Sequence, residues 1–460
     1  MCTTLIAGRN AALSGRAMLG ANDDWDGVPG VLTRVMPQRH LPGAEYLLTG
    51  GFRIPEAEST FGYSYTACRY SIGTLDKGWA GGVNDAGVAV AGTGASAFRA
   101  IPCEEAWLEP DDIPLLILRR ADSARGAIRL IGELTERYGI HPSRLDGCES
   151  MATFAVADAK EGWMLEMAPG NHWVAVRVPD DEAAVRANAY GTHHADLTDR
   201  ENVMASEGLA DYARAQGWWQ GEDTDFDFAF TYGADKSPNE WGPELDPMNL
   251  RRRWRAMELL SGKPQDENGT VYSVRPDRKL TKQDFMTVLR DVYAGTAYDL
   301  MTAPDAGRWG NPFHDDPPSY SICKIGTIAS FVAELYEDAP SVMWTAITTP
   351  AMSAYVPVYT GISALPGCFD TDDTEDSLFW ELKELGYLIQ RRYSRYHALV
   401  RPELDALEQR FFAYADARRE KLLSLTEDER AAECTSITAA GFDALRSLCR
   451  EERSELIRMY

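Results

Sequence analysis

An α+β fold is what this sequence predicts, with antiparallel sheets covered by helices and a helical segment after them. Two observations carry the prediction. Short apolar runs separated by tight-turn residues follow one another directly, as in 152–178, without strict strand–helix alternation. From 376 to 458, by contrast, nearly every residue is charged or helix-forming. The apolar share of 45%, with 12 Trp, 20 Tyr and 15 Phe, suffices for a large core.

Taken in order, residues 3–8 and 17–20 form two strands around the turn Ala12-Leu13-Ser14-Gly15. Residues 79–94 form two more around Asn84-Asp85-Ala86-Gly87. Ile113, Leu116, Ile117, Ile128, Ile131 and Leu134 give 113–139 a helical period. Strands follow at 152–157, 163–167 and 173–178, with turns at 158–162 and 168–171. Helices are expected at 199–216 and 281–293, the second opening on Thr281 and Asp284 at capping-box spacing. Residues 218–275 are rich in Asp, Gly, Pro and Trp and read as loops. Strands return at 319–328, 341–348 and 355–360. The run Asp-Thr-Asp-Asp-Thr-Glu-Asp at 370–376 reads as a linker or helix start, since it lacks the glycine and distal glutamate of a calcium loop. Thr426-Glu427-Asp428-Glu429 is a capping box within a tail of two or three amphipathic helices. The chain thus divides into 2–370 and an acidic helical extension, 371–460.

A net charge of −24 leaves no basic surplus for nucleic acid or for an anionic membrane. No apolar run approaches the ~20 residues that span a bilayer, and no basic-then-apolar start suggests a signal peptide. Eight scattered cysteines without a C-x-x-C pair fit a reducing cytoplasm. Dinucleotide, P-loop, serine-elbow and H-E-x-x-H patterns are missing, so no cofactor is expected. His193-His194 with Asp196 makes a poor metal site, because neighbours on a strand point to opposite faces. Trp218, Trp219 and Trp241 read as packing anchors or as the lining of a pocket.

Cys2 stands at the head of the first strand. A residue this small in second position favours removal of the initiator methionine, which would leave a thiol and a free α-amine on one residue. Their reference pKa values, about 8.5 and about 7.7–8.0, make proton transfer between them nearly balanced. Nucleophile and base would then reside together. The alternative is a Met-Cys start without function.

Four segments bear on that choice. They are Cys2-Thr3-Thr4 with Gly20-Ala21-Asn22-Asp23-Asp24-Trp25; Gly81 to Val90; Val156 to Glu166 running on through 172–181 to Asn188; and Tyr355 to Ile362. Together they resemble the dipeptidase A (PepD-type) family of cysteine N-terminal-nucleophile hydrolases, and more distantly penicillin V acylase and bile salt hydrolase. The resemblance covers about 2–365. It implies a four-layer αββα sandwich with Cys2 as nucleophile at a strand end. Asp24 matches the aspartate that holds the cysteine's amino group, and Asn84 and Asn188 match asparagines of the oxyanion site. Each also has a plainer reading: Asp24 as a loop carboxylate, Asn84 as a turn residue, Asn188 as a loop hydrogen-bonder. Relatives carry arginine where this chain has Ala21, and a second active-site arginine is not placed.

The expected activity is hydrolysis of small peptides, dipeptides above all, through a thioester. The alternatives are an N-acyl amide hydrolase and a retired member that acts as an interaction protein, the latter motivated by Ala21. The expected partner is a small peptide substrate, with neither nucleic acid nor membrane. A homo-oligomer is left open.

Overall fold

A computed structural model describes residues 2–25, 28–68, 81–95, 97–144, 149–233, 247–304, 306–314, 320–369 and 377–459. The acidic run 370–376, with Trp79 and Trp241, lies outside them. In chain order the strands begin β1 (Thr3–Ala7), β2 (Met18–Asp24), β3 (Gly30–Val35), β4 (Gln38–Arg39), β5 (Glu45–Leu47), β6 (Arg53–Pro55), β7 (Ser59–Thr60), β8 (Tyr63–Cys68), β9 (Gly81–Asn84) and β10 (Ala89–Ala95). They continue with β11 (Met151–Ala157), β12 (Gly162–Ala168), β13 (His172–Arg177), β14 (Ala183–Arg186), β15 (Val203–Ala205), β16 (Ser273–Val274), β17 (Thr327–Glu334), β18 (Val342–Ile347) and β19 (Val356–Tyr359). The helices are α1 (Ile113–Arg120), α2 (Ala124–Tyr138), α3 (Leu209–Ala215), α4 (Phe228–Tyr232), α5 (Pro247–Ser261), α6 (Lys282–Leu289), α7 (Leu378–Gln390), α8 (Tyr393–Ser424) and α9 (Glu427–Arg458).

Besides two two-stranded ribbons, β4-β7 and β5-β6, two large antiparallel sheets result among the described residues. One runs β16-β14-β1-β2-β17-β18-β19, the other β15-β13-β12-β11-β10-β9-β8-β3. They pack face to face, β1 and β2 over β10, β11 and β12. Helices α1 and α2 cover the second sheet, and α5 and α6 cover the first, which completes an αββα sandwich. Each sheet is covered on both faces, so its central strands are buried along their whole length. Their approach is close enough to require glycine: a Cβ on Gly162 would meet Ile6 at 2.5 Å, and one on Gly81 would meet Phe331 at 2.5 Å.

Several expected elements differ. The 113–139 helix is two helices, because Ser123 turns to cap α2, its hydroxyl accepting from the Gly126 N–H. Only the end of 199–216 is helical. Asp199 instead closes a turn on the Glu201 and Asn202 N–H groups, and Val203 pairs with Val176 as an edge strand. The 319–328 strand starts at Thr327, since Thr327 Oγ1 accepts from the Lys324 N–H and folds the approach into a turn. The 218–275 stretch holds two helices, α4 and α5. Both capping boxes form, at Thr281–Asp284 and Thr426–Glu429.

Helices α7, α8 and α9 share one core with the first sheet. Trp344 on β18 meets Phe412 on α8 edge-on at 4.9 Å. Leu382, Leu385, Leu445 and Phe442 join the same cluster. Glu408 on α8 is buried, accepts from the Tyr355 N–H at 2.8 Å and pairs with Arg290. Burying one such large apolar side chain contributes roughly 1.5–3 kcal/mol, so these helices are structural members of the sandwich.

Candidate active site

Cys2 leads into β1, the third strand of seven in its sheet. The register Thr3↔Asn22 places Cys2 opposite Asp23, and cross-strand partners share a face. The Cys2 Sγ lies 3.6 Å from Asp23 Oδ1, and the Asp24 backbone N–H points at the sulfur from 3.5 Å. Period-two alternation turns Asn22 and Asp24 to the other face. There Asn22 donates to the Leu289 and Ile322 carbonyls, and Asp24 Oδ1 accepts from Thr327 Oγ1 at 2.6 Å. The β2–β17 register shifts between Thr327 and Ala329, beside this point.

Arg252, on α5 and fully buried, ties the cluster together. Its Nη1 donates to the Cys2 carbonyl at 2.8 Å and to Thr3 Oγ1 at 3.2 Å, and its Nη2 donates to Asn188 Oδ1 at 3.0 Å and to Asn249. Asn188 has φ of 56°, a left-handed conformation rare outside glycine. With Oδ1 accepting from Arg252, its Nδ2 faces the Gly94 carbonyl at 2.9 Å. The loop that holds it is pinned by Glu166, which accepts from Arg186 Nε at 2.6 Å, the Gly191 N–H at 2.9 Å and the Thr192 N–H at 3.2 Å.

Burial dominates the electrostatics. It pushes the Cys2 thiol up to about 12; the amino-terminal charge opposes that, and Asp23 and Asp24 add to it. Burial and the neighbouring Asp24 raise Asp23 to about 7. Asp24 is raised by burial too, against the pull of Lys324, the amino-terminal charge, Thr327 and Arg252. A thiol in such surroundings holds its proton at neutral pH and needs a base to release it.

The sequence-derived candidates fare unequally. Cys2, Asp24 and Asn188 stand together. Asn84 does not join them. Its Nδ2 donates to the Leu118 and Ala121 carbonyls, and its Oδ1 accepts from the Ala86 and Val88 N–H groups, so it closes the β9–β10 turn and docks α1. Gly87 of that turn lies under the Tyr336 carbonyl, just past the end of β17, whereas Cys2 lies at its start. Seven residue steps at roughly 3.3 Å separate those ends by about 23 Å. It is Gly94, near the end of β10, that reaches Asn188. Arg252 and Asp23 were not singled out in the sequence. The tract Arg251-Arg252-Arg253-Trp254-Arg255 in an acidic chain was the available signal for the first.

Ala21 is buried against Thr4 and Phe331 and brings no charge. Arg16 does not replace it, being paired with Asp338 at 3.5 Å and set over Tyr336. His193 and His194 bond separately to Asp227 and Asp225 at 2.8 and 2.7 Å. Trp218 and Trp219 pack against Tyr212, Tyr232 and Phe226. Among the described residues no His, Cys, Asp and Glu group has the geometry to hold a metal, and no helix is long and apolar enough to cross a membrane.

A layered antiparallel sandwich, with a thiol, two carboxylates and a buried guanidinium at one end of a central strand, has the makings of a hydrolase of peptide or amide bonds. The chain belongs to peptidase family C69, whose sequence profile matches residues 1–404, and it is a hydrolase acting on peptide bonds. It is 25% identical over 421 residues to a probable dipeptidase of Latilactobacillus sakei, covering 86% of this chain and 82% of that one. It is 28% identical over 381 residues to a probable dipeptidase of Salmonella dublin, covering 78% and 81%. Among solved structures it is similar to a C2A mutant of conjugated bile acid hydrolase from Clostridium perfringens, with TM-score 0.38, 10% identity and coverage of 78% and 92%. It is also similar to penicillin V acylase from Agrobacterium tumefaciens, with TM-score 0.34, 15% identity and coverage of 78% and 86%.

Proposed function

We propose that this protein is a dipeptidase that works through a thioester on Cys2. The observation that carries the reading is the Arg252 guanidinium, which spans the Cys2 carbonyl and the Asn188 amide and so joins the thiol-bearing residue to the 187–192 loop, while the β1–β2 register brings the carboxylates beside it. Relatives described as probable dipeptidases support the substrate class.

Removal of Met1 frees the Cys2 α-amine. The amine takes the thiol proton, and the sulfur attacks the substrate carbonyl. The Asn188 Nδ2 has one N–H on the Gly94 carbonyl and directs the other at the oxyanion, a donor whose loss typically costs ~10²–10³ in rate. Arg252 holds that amide by its oxygen. The ammonium on Cys2 then protonates the leaving nitrogen, the first amine product departs, and a thioester remains. Water, deprotonated by the same amine, attacks the thioester carbon and the thiol is regenerated. Asp24 orients the ammonium, and its negative charge raises the amine's pKa, which favours the acid step over the base step.

Amino-acid release from a mixed dipeptide panel tests this, with Cys2→Ala alongside and intact mass reporting Met1. Release by wild type and none by the variant is expected. Equal turnover by the two would refute the role of Cys2.

A further inference from the structure

We propose that Asp23 is a specificity residue that binds the α-ammonium of the substrate's first amino acid, so that the site selects peptides with a free amino terminus over N-acylated ones. The inference rests on the hydrolase reading above and deepens it.

Three observations converge on this residue. Asp23 is the carboxylate that shares the thiol's face, 3.6 Å from the sulfur through Oδ1. Its side chain is more than nine-tenths buried, and its second oxygen, Oδ2, has no hydrogen-bond partner among the described residues. The side-chain cations nearby are engaged elsewhere: Arg252 holds the Cys2 carbonyl and Asn188, and Lys324 lies 4.8 Å over the Tyr320 ring, on the side of Asp24, which leaves the amino-terminal charge as the cation that acts on Asp23. A buried carboxylate oxygen without a partner costs free energy until a donor reaches it.

The reaction supplies such a donor. When the sulfur bonds to the acyl carbon, the α-carbon follows by one bond and the α-nitrogen by two. In a peptide with a free amino terminus that nitrogen is an ammonium, within reach of a carboxylate that already flanks the sulfur. In an N-acyl substrate it is a neutral amide with a bulky substituent, and Asp23 Oδ2 gains no cationic donor from it. A site built to pair a group rejects the analogue that lacks it. Burial first and then Asp24 raise Asp23 to about 7, and the amino-terminal charge, Cys2 and Trp25 offset that only in part, so the carboxylate can take up a further cation. Ala21 agrees with this, since it adds no cation that would compete for Asp23.

The full-length protein, its Met1 status fixed by mass, is assayed on alanine p-nitroanilide and N-acetylalanine p-nitroanilide, as wild type and as Asp23→Asn. Wild type is expected to prefer the free amine. In Asp23→Asn the ratio of the two kcat/KM values should fall about 100-fold, the scale for removing one partner of a desolvated charge pair. An equal fall on both substrates would overturn the proposal and assign Asp23 to the nucleophile's own amine. A wild-type preference for the acetylated substrate would overturn it too, and leave the hydrolase reading standing. Loss of turnover on both anilides and on every dipeptide, by wild type, would sink the hydrolase reading and this one with it. A binding measurement covers the case in which Asp23→Asn does not fold. Cys2→Ala should bind Ala-Ala at least tenfold more tightly than N-acetyl-Ala-Ala, and equal affinities would overturn the proposal.

Discussion

Replacing Glu166 with glutamine should loosen the site from a distance. Glu166 is on β12 of one sheet and Arg186 on β14 of the other, so their pair crosses the interior, with both side chains fully buried. Three N–H donors converge on the carboxylate: Arg186 Nε, the Gly191 N–H and the Thr192 N–H. Glutamine keeps one acceptor oxygen but sets an NH₂ group against the remaining donors, and Arg186 loses its counter-charge. Breaking a buried pair from one side costs ~3–5 kcal/mol. We expect a loss of about 4 kcal/mol in guanidinium unfolding at pH 7 and 25 °C, from the same source. Because Asn188 sits three residues before Gly191 in a left-handed conformation, kcat should also drop by at least about tenfold, part of the ~10²–10³ attached to an oxyanion donor. The double variant Glu166→Leu with Arg186→Leu removes both charges and should recover much of the stability. A loss under about 1 kcal/mol, with kcat unchanged, would refute the reasoning, because a carboxylate with these contacts cannot be that cheap to neutralise.

Three further perturbations have defined outcomes. Arg252→Met should lower kcat/KM on dipeptides by ~10²–10³ while Arg252→Lys recovers only part, since one ammonium cannot serve both the Cys2 carbonyl and Asn188; equal activity of Lys and wild type would count against the clamp. Asp111→Asn tests pH linkage. Burial first, then Asp112 and Glu109, hold the Asp111 carboxyl at about 7, against about 3.9 unfolded. The stability of its protonated form is fully present below pH 4 and is lost as pH rises through 7, by up to ~1.4 kcal/mol per pH unit. The variant should therefore gain on wild type between pH 5 and pH 8 in urea melts, and parallel curves would refute the assignment. Glu408→Gln leaves Arg290 without its buried partner and weakens the seat of α8 on Tyr355, so unfolding should show a loss of ~3–5 kcal/mol.

What the sequence made legible were features whose cause is local. The 152–178 meander followed from alternating runs and turn residues, and the helix starts at Thr281 and Thr426 from hydroxyl and carboxylate spacing. The β1–β2 pairing was legible for the same reason. Helix α5 was not, because its arginines blur the amphipathic period. Each arginine has its own distant use: Arg251 on the Tyr298 ring, Arg252 on Cys2, Arg253 on the Gly269 and Val271 carbonyls, Arg255 on Asp291. Those partners lie up to 250 residues away, and no local pattern encodes them. Asn84 misled for the opposite reason. Its Asn-Asp-Ala-Gly setting carries a complete local explanation, a turn, and the structure uses that one. Asp23 was overlooked because the motif pointed to Asp24, and only the β1–β2 register shows which carboxylate shares the thiol's face.

The pairing of β2 with β17 has a consequence in time. Asp24 meets Thr327 across 303 positions of chain, and Arg252 comes to Cys2 across 250. At a ribosomal pace of roughly 5–20 residues per second, the thiol waits about 15–65 s after its own translation before its last partner exists. For the first part of that interval the nascent chain carries a cysteine without the Arg252 clamp, and for all of it without β17 beside β2. The surroundings of this thiol are thus completed only after most of the chain has been made, long after the thiol itself.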